Sequence, residues 1–383
     1  MQKKYGLLSN NKDDSDDSET NLAVATPKEC PYCKSKKITK SGLRKNKYID
    51  VQLYECRDCQ KRFTPVITKY RSYPLQVIIT ALTLYNEFYS FNEIAKAVSA
   101  EFGINISDKN IKNWLKDFKE YLPFLRMREF AKDKFNPKEA IERVHMFHGQ
   151  IYDYQYHRAK LQMILEEDFR NNKFKPLREF LDLVSAECPH QVFKESSQRA
   201  SEFKNIFNMD QVRITPKAGN IACRSAGFVL QAVSNNKKRH ETLQRFMLAN
   251  DSVTVAVEVP VLLDSDDLRH FRDRLGFDVP PKLNDKEVIT GHIDLLQIRN
   301  GCVHILDYKP SAKKVKPIEQ LTLYALALSR LTTLRLFHFK CTWFDKEDYF
   351  EFFPLHVVYK KRKKKRPEKM RGLPAPDVGI RLA

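Results

Sequence analysis

The stretch "ITGHIDLLQIRNGCVHILDYKP", residues 289–310, constrains the fold more than any other part of the chain. Asn300-Gly301 is a two-residue hairpin signal between two apolar-rich runs. Such a turn fixes the strand register. Asp294 then faces Asp307, and His292 faces Lys309. The same face carries Leu296 opposite Ile305 and Ile298 opposite Val303. Two carboxylates opposed on an otherwise apolar face repel each other unless something offsets them. Asp307 and Lys309 are two apart on one strand, so both point to that face.

A cation between the acids resolves the conflict. Oxygen ligands beside a lysine suit Mg²⁺ or Mn²⁺ rather than zinc. A carboxylate pair holding such an ion, with an ammonium next to it, is equipped for phosphodiester hydrolysis. Lys309 can orient a water or offset charge developing on the phosphate. The flanks extend the set. "NNKKRHETLQRFM" reads as a helix carrying His240, and "VTVAVEVPVLL" as a strand carrying Glu258. "IEQLTLYALAL" reads as a helix that places Gln320 and Tyr324 on one face at i and i+4.

In chain order these motifs are His240 in "RHETLQRF", "VEVP" with Glu258, "GHID" with Asp294, "DYK" with Asp307 and Lys309, then Gln320 and Tyr324 as Q-x-x-x-Y. The series resembles the RecB-like branch of the PD-(D/E)XK nucleases. The resemblance implies a restriction-endonuclease-like α/β (α+β) core. It also implies that His240, Asp294 and Asp307 bind the metal and that Lys309 is the catalytic lysine. Gln320 and Tyr324 would position that lysine and the DNA backbone, with Glu258 supporting the site. Some relatives carry an iron–sulfur cluster on four cysteines. Here Cys188, Cys223, Cys302 and Cys341 are scattered without a C-x-x-C pair, so no such cluster is expected, and they read as small buried residues.

A second metal site is written near the N-terminus. "CPYC" and "CRDC" place Cys30, Cys33, Cys56 and Cys59 as two knuckles around a hairpin-like stretch. Four thiolates form the closed tetrahedral set of structural zinc and leave no position for catalysis. Lys36, Lys37, Lys40, Arg44, Lys45 and Lys47 between the knuckles favour a nucleic-acid partner. "YSFNEIAKAVSAEFGINISDKNIKNWLKDFKEYL" then holds two helices. Ser90 with Glu93 is a capping box, Gly103 a stop, and Ser107 the next cap. Ile111, Trp114, Leu115 and Phe118 form one face of the second helix; Lys109, Asn110, Lys112, Asn113 and Lys116 form the other. This pattern fits a helix-turn-helix reading the major groove, or a plain helical pair with a solvated lysine face. Residues 29–121 resemble the N-terminal DNA-binding region of insertion-sequence transposases, which implies DNA binding. The three spaced acids of a transposase catalytic domain are not found downstream.

The organisation read from the sequence is an acidic tail at 1–28, a zinc ribbon at 29–66 and a helix-turn-helix at 72–121. A mostly helical connecting region follows at 122–215, then a nuclease core at 216–358 and a basic tail at 359–383. The nuclease is expected to cleave without the N-terminal modules. A net charge of +19 over 383 residues favours a polyanionic partner. No apolar run approaches the ~18 residues of a membrane span, and no export signal is seen. Paired cysteines in such a chain indicate metal and a reducing, cytoplasmic setting. "VHMFHGQIYDYQYHRAK" reads by default as packed helix; its aromatic and basic interleaving also fits single-strand stacking, and His145 with His148 a metal pair. "KKRKKKR", Lys360–Arg366, reads as a phosphate-binding or solvated arm.

The expectation is a DNA nuclease dependent on Mg²⁺ or Mn²⁺. The alternative is a noncatalytic DNA-binding regulator with a vestigial nuclease fold. An RNA-directed nuclease is the weakest of the three readings.

Overall fold

The computed structural model describes residues 27–359, except 49, 65–71, 168–171, 196, 210–211 and 234–235. The acidic tail and the Lys360–Arg366 arm lie outside the described residues. Three antiparallel strands, β1 (Ile38–Lys45), β2 (Asp50–Cys56) and β3 (Arg62–Phe63), form the small N-terminal sheet. Its core is little more than Cys30, Tyr54, Cys56 and Phe63.

Helices α1 (Leu75–Asn86), α2 (Phe91–Phe102) and α3 (Asp108–Asp117) follow. The caps read from sequence are formed. Ser90 and Glu93 close a reciprocal capping box, and Gly103 takes the left-handed conformation at φ 66°. Ser107 closes a second box with Asn110.

The large sheet is mixed. Its strands are β4 (Glu142–Phe147), β5 (Ile151–Tyr156), β6 (Ser197–Arg199), β7 (Thr215–Pro216), β8 (Thr254–Leu263), β9 (Val288–Arg299), β10 (Cys302–Tyr308), β11 (Phe339–Phe344) and β12 (Tyr349–Phe352). Their order is β4-β5-β8-β9-β10-β11-β12-β7, with β6 added in parallel beside the start of β9. The sheet therefore draws strands from 142–156 and 197–199, inside the region read as mostly helical. "VHMFHGQIYDYQYH" is the β4–β5 hairpin, not packed helix.

The longer helices that flank the sheet are α4 (Arg158–Glu167), α5 (Lys175–Glu187), α6 (Ile221–Val229), α7 (Asn236–Asn250) and α8 (Ile318–Thr332). Period-2 alternation lets each central strand serve two cores. Leu296, Val303 and Ile305 pack with Leu321 and Leu328 of α8 and Leu177 of α5. Leu295 and Leu306 pack the other way, with Phe246 and Met247 of α7. That second core runs on without a break into Val77 and Leu82 of α1 and Trp114 of α3. The three N-terminal helices are thus built into the body, contrary to the expectation of a nuclease independent of them.

The Asn300-Gly301 turn forms as read. Both residues have positive φ, 51° and 66°, as a tight hairpin turn of matching twist demands. The register follows: Val303 pairs Ile298, Ile305 pairs Leu296 and Leu306 pairs Leu295. Beyond Leu306 the ladder opens. β10 ends at Tyr308 while β9 runs back to Val288, where β6 takes the vacated edge. The gap between the end of β10 and β6 is where the acids lie.

Candidate active site

A cavity of about 320 Å³ occupies that gap. His240, Glu258, Asp294, Asp307, Lys309, Gln320 and Tyr324 all line it. The seven side chains come from α7, β8, β9, β10 with the residue following it, and α8. The hairpin register puts Asp294 and Asp307 side by side, and the flanking helices close over them.

Asp307 is buried, at 3% exposure, and Lys309 Nζ lies 2.9 Å from its Oδ2. Yet that oxygen accepts no hydrogen bond of proper geometry. A buried carboxylate oxygen with a lone pair unused is costly unless a cation takes it. Asp294 is better satisfied. Its Oδ2 accepts from the Tyr308 backbone N–H at 3.1 Å and lies 3.5 Å from His240 Nδ1.

The two acids therefore split. Burial pushes the Asp307 carboxyl well above its ordinary range, and the neighbouring Asp294 charge adds to this against the pull of Lys309. Burial also pushes Asp294 up, but the hydrogen bond and charge of His240, with Lys309, outweigh it and hold Asp294 low. Without metal, burial and the facing Asp294 charge favour the protonated form of Asp307, as expected of like charges in one site. That is how the opposed acids coexist before a cation arrives. His240 is pulled down by burial but ends raised, because Asp294 holds its charged form.

Glu258 sits in mid-strand with φ 50°, a region that non-glycine residues seldom adopt. Such strain costs about 1–3 kcal/mol and gathers at functional sites. Its Oε1 accepts a 2.6 Å bond from Gln244 Nε2. Burial and the charge of Asp294 push its carboxyl up to about 8, so it is largely protonated at neutral pH in the absence of a cation. Gln320 Nε2 donates to Tyr324 Oη at 3.0 Å, as the i, i+4 spacing requires. Tyr324 lies against the backbone of Gly291, where any Cβ would fall into its ring. The glycine of "GHID" is there for that close approach.

Other lining residues have no counterpart in the sequence reading. Arg199 and Ser201 come from β6 and the turn after it, and Tyr152 from β5. His292, which the hairpin register put opposite Lys309, lines the cavity with its ring stacked on Tyr152, centroids 3.5 Å apart. His145 is not joined to His148; it pairs with Asp153 at 2.5 Å.

Farther off, the four N-terminal cysteines converge. Cys30 and Cys59 sulfurs are 3.6 Å apart, Cys33 and Cys56 3.5 Å. A zinc tetrahedron with 2.3 Å bonds has edges of about 3.8 Å, so the donor set fits that ion. Backbone N–H groups of Cys59 and Asp58 hold the Cys56 thiol down to about 6, while burial and the neighbouring thiols push Cys33 up to about 12. On α3, Lys109, Lys112, Asn113 and Lys116 are exposed. Asn110 is not a free reader. Its Oδ1 accepts from Ser107 Oγ at 2.8 Å and from Tyr73 Oη at 3.3 Å, so it serves the cap.

Among the described residues no helix is long and apolar enough to cross a membrane. No curated protein and no solved structure matches the chain. Residues 185–370 match the family model of the PD-(D/E)XK nuclease superfamily. With its paired acids and lysine at the broken edge of a mixed sheet, that part of the chain is a PD-(D/E)XK nuclease superfamily domain of restriction-endonuclease-like α/β fold.

Proposed function

We propose that the protein is a RecB-like DNA nuclease that hydrolyses phosphodiester bonds with one or two Mg²⁺ or Mn²⁺ ions. The observation that carries this is the buried Asp307 carboxyl set beside Asp294 and Lys309 in one cavity. His240, Asp294 and Asp307 would hold the ion. The ion supplies Lewis-acid stabilisation of charge on the phosphate. Lys309 stands 2.9 Å from Asp307 and can orient the attacking water or offset charge on the phosphate. Glu258 holds a proton near the acid pair until a cation draws it off. Gln320 and Tyr324 fix the wall on which the sugar-phosphate backbone would rest, and Arg199 adds a fixed positive charge to the same cavity.

Docking falls to the N-terminal part. The zinc ribbon and α2–α3, read as a helix-turn-helix of transposase type, would contact DNA through Lys109, Lys112, Asn113 and Lys116. The net charge of +19 supports such a partner. A thiolate zinc site also favours an intracellular, reducing compartment.

The test is incubation of the purified protein with circular and end-labelled linear DNA, with Mg²⁺, Mn²⁺ or EDTA. Cutting of the circle with metal and none in EDTA is the expected result. A protein that binds DNA yet cuts neither substrate under any metal would be the noncatalytic regulator.

A further inference from the structure

Beside the cavity, a nitrogen and sulfur cluster stands apart from the acid pair. His148 lies in the β4–β5 turn, Cys188 just past the end of α5, and His190 two residues on. His148 Nε2 is 2.8 Å from His190 Nδ1 and 3.9 Å from Cys188 Sγ. One donor atom from each residue falls within 4.8 Å of the others. We infer that these three side chains form a further transition-metal site, suited to Zn²⁺, distinct from the four-cysteine cluster and from the acid pair.

The donor chemistry points to zinc. Two imidazoles and one thiolate are borderline-soft ligands, unlike the oxygens around Asp307. Tetrahedral zinc with these donors has edges of about 3.3–3.6 Å, so an ion would spread the two nitrogens by roughly half an ångström. The support is also that of a ligand set. The other nitrogen of His148, Nδ1, is 2.8 Å from His292 Nε2. If Nε2 ligates, Nδ1 carries the proton and donates to His292, which fixes ring and tautomer together. Phe193 stacks on the His148 ring at 4.2 Å, and His148 is only 2% exposed. Binding would release the Cys188 thiol proton to solvent.

Three protein ligands leave a fourth tetrahedral position for water. The ion would join the β4–β5 turn to the chain after α5, and through His292 to β9. His148, Phe193 and His292 all line the nuclease cavity, so the clip would brace one of its walls.

The test compares zinc content of the full-length parent, Cys188→Ser and His190→Gln after equilibration with zinc and dialysis against excess Mg²⁺. The four-cysteine and acid sites are common to all three proteins. The parent should retain one zinc equivalent per chain more than either variant, and zinc should raise its melting temperature further. His190 is exposed, so its variant should fold even if the cysteine variant does not. Equal zinc content in the parent and His190→Gln would overturn the proposal.

Discussion

Asp307 carries the main electrostatic conflict of the cavity, and its protonation has a measurable consequence. Its folded pKa lies above the unfolded value, so from about pH 4 upward the folded state holds more protons than the unfolded chain. Stability then falls as pH rises through that window. His240, also raised, acts with the same sign from its ordinary 6.5 upward. Asp294, held low, acts oppositely, and only below its ordinary 3.8. In EDTA, Asp307→Asn should therefore lose less melting temperature than the parent between about pH 5 and about pH 8. Mg²⁺ should stabilise the parent through linkage and leave the variant unmoved; equal stabilisation of both by Mg²⁺ would remove Asp307 from the metal set. Lys309→Ala should keep DNA and metal binding but cut about 10²–10³-fold more slowly, the loss typical of one positioned charge-stabilising donor. Single-turnover cleavage measures it, and parental rates would assign the catalytic cation elsewhere. The hairpin reading made Asp294, Asp307 and Lys309 legible, and the resemblance of the ordered motifs to RecB-like nucleases brought in His240, Glu258, Gln320 and Tyr324. Arg199 was not, since β6 has three residues, too few for any periodicity to show.

Among the elements, the β9–β10 hairpin was readable as far as the Leu295–Leu306 pair, where the ladder ends, because a turn of two positive-φ residues permits one register. The β4–β5 hairpin was not. Its signal is the alternation of Tyr152, Tyr154 and Tyr156, but the turn His148-Gly149-Gln150 resembles no standard two-residue type, and flanking helices drew the segment into a helical reading. Buried Tyr154 and Tyr156 show what the period of two meant. The contact of α8 with β9 was equally hidden, since one glycine in a strand pattern signals close approach without naming the neighbour. That contact gives a sharp expectation. Gly291→Ala would drive a methyl into the Tyr324 ring, displace Tyr324 from Gln320, and cost roughly 1–3 kcal/mol as overpacking. Shortening Tyr324 in the same background should recover melting temperature without recovering cleavage. If Gly291→Ala alone melted and cut like the parent, α8 would not press on β9 as described.

Across the whole molecule, a clasp ties the N-terminal helices to the nuclease core, and composition gave no sign of it. Asn86, at the end of α1, donates to Asn250 at 2.8 Å. Glu87 follows, buried at 5% exposure, and takes two bonds of 2.9 Å from Arg245 of α7, with Arg143 of β4 at 3.1 Å. Burial alone would raise Glu87, yet the two arginines hold it down to about 2. Its stabilising contribution is thus full above its ordinary 4.5 and is lost as pH falls through about 2. Glu87→Gln should cost roughly 2–3 kcal/mol at neutral pH, less than a fully buried pair because both arginines are partly exposed. The four-cysteine sheet meets the body differently: among the described residues its contacts include a Tyr48–Tyr73 ring stack and an exposed Lys28–Glu347 pair. Two truncations separate these situations. A chain starting near residue 72 keeps the core of α1, α3 and α7 whole, so it should fold, cleave, and bind DNA with lower affinity and a shallower salt dependence. A chain starting near residue 125 uncovers Phe246 and Met247, takes Glu87 from Arg245 and takes Asn86 and Thr83 from Asn250, so it should fail to fold. Circular dichroism melts and salt-dependent binding read both. A well-folded, cleaving chain from residue 125 would show that the shared core is an appendage to the nuclease rather than part of it.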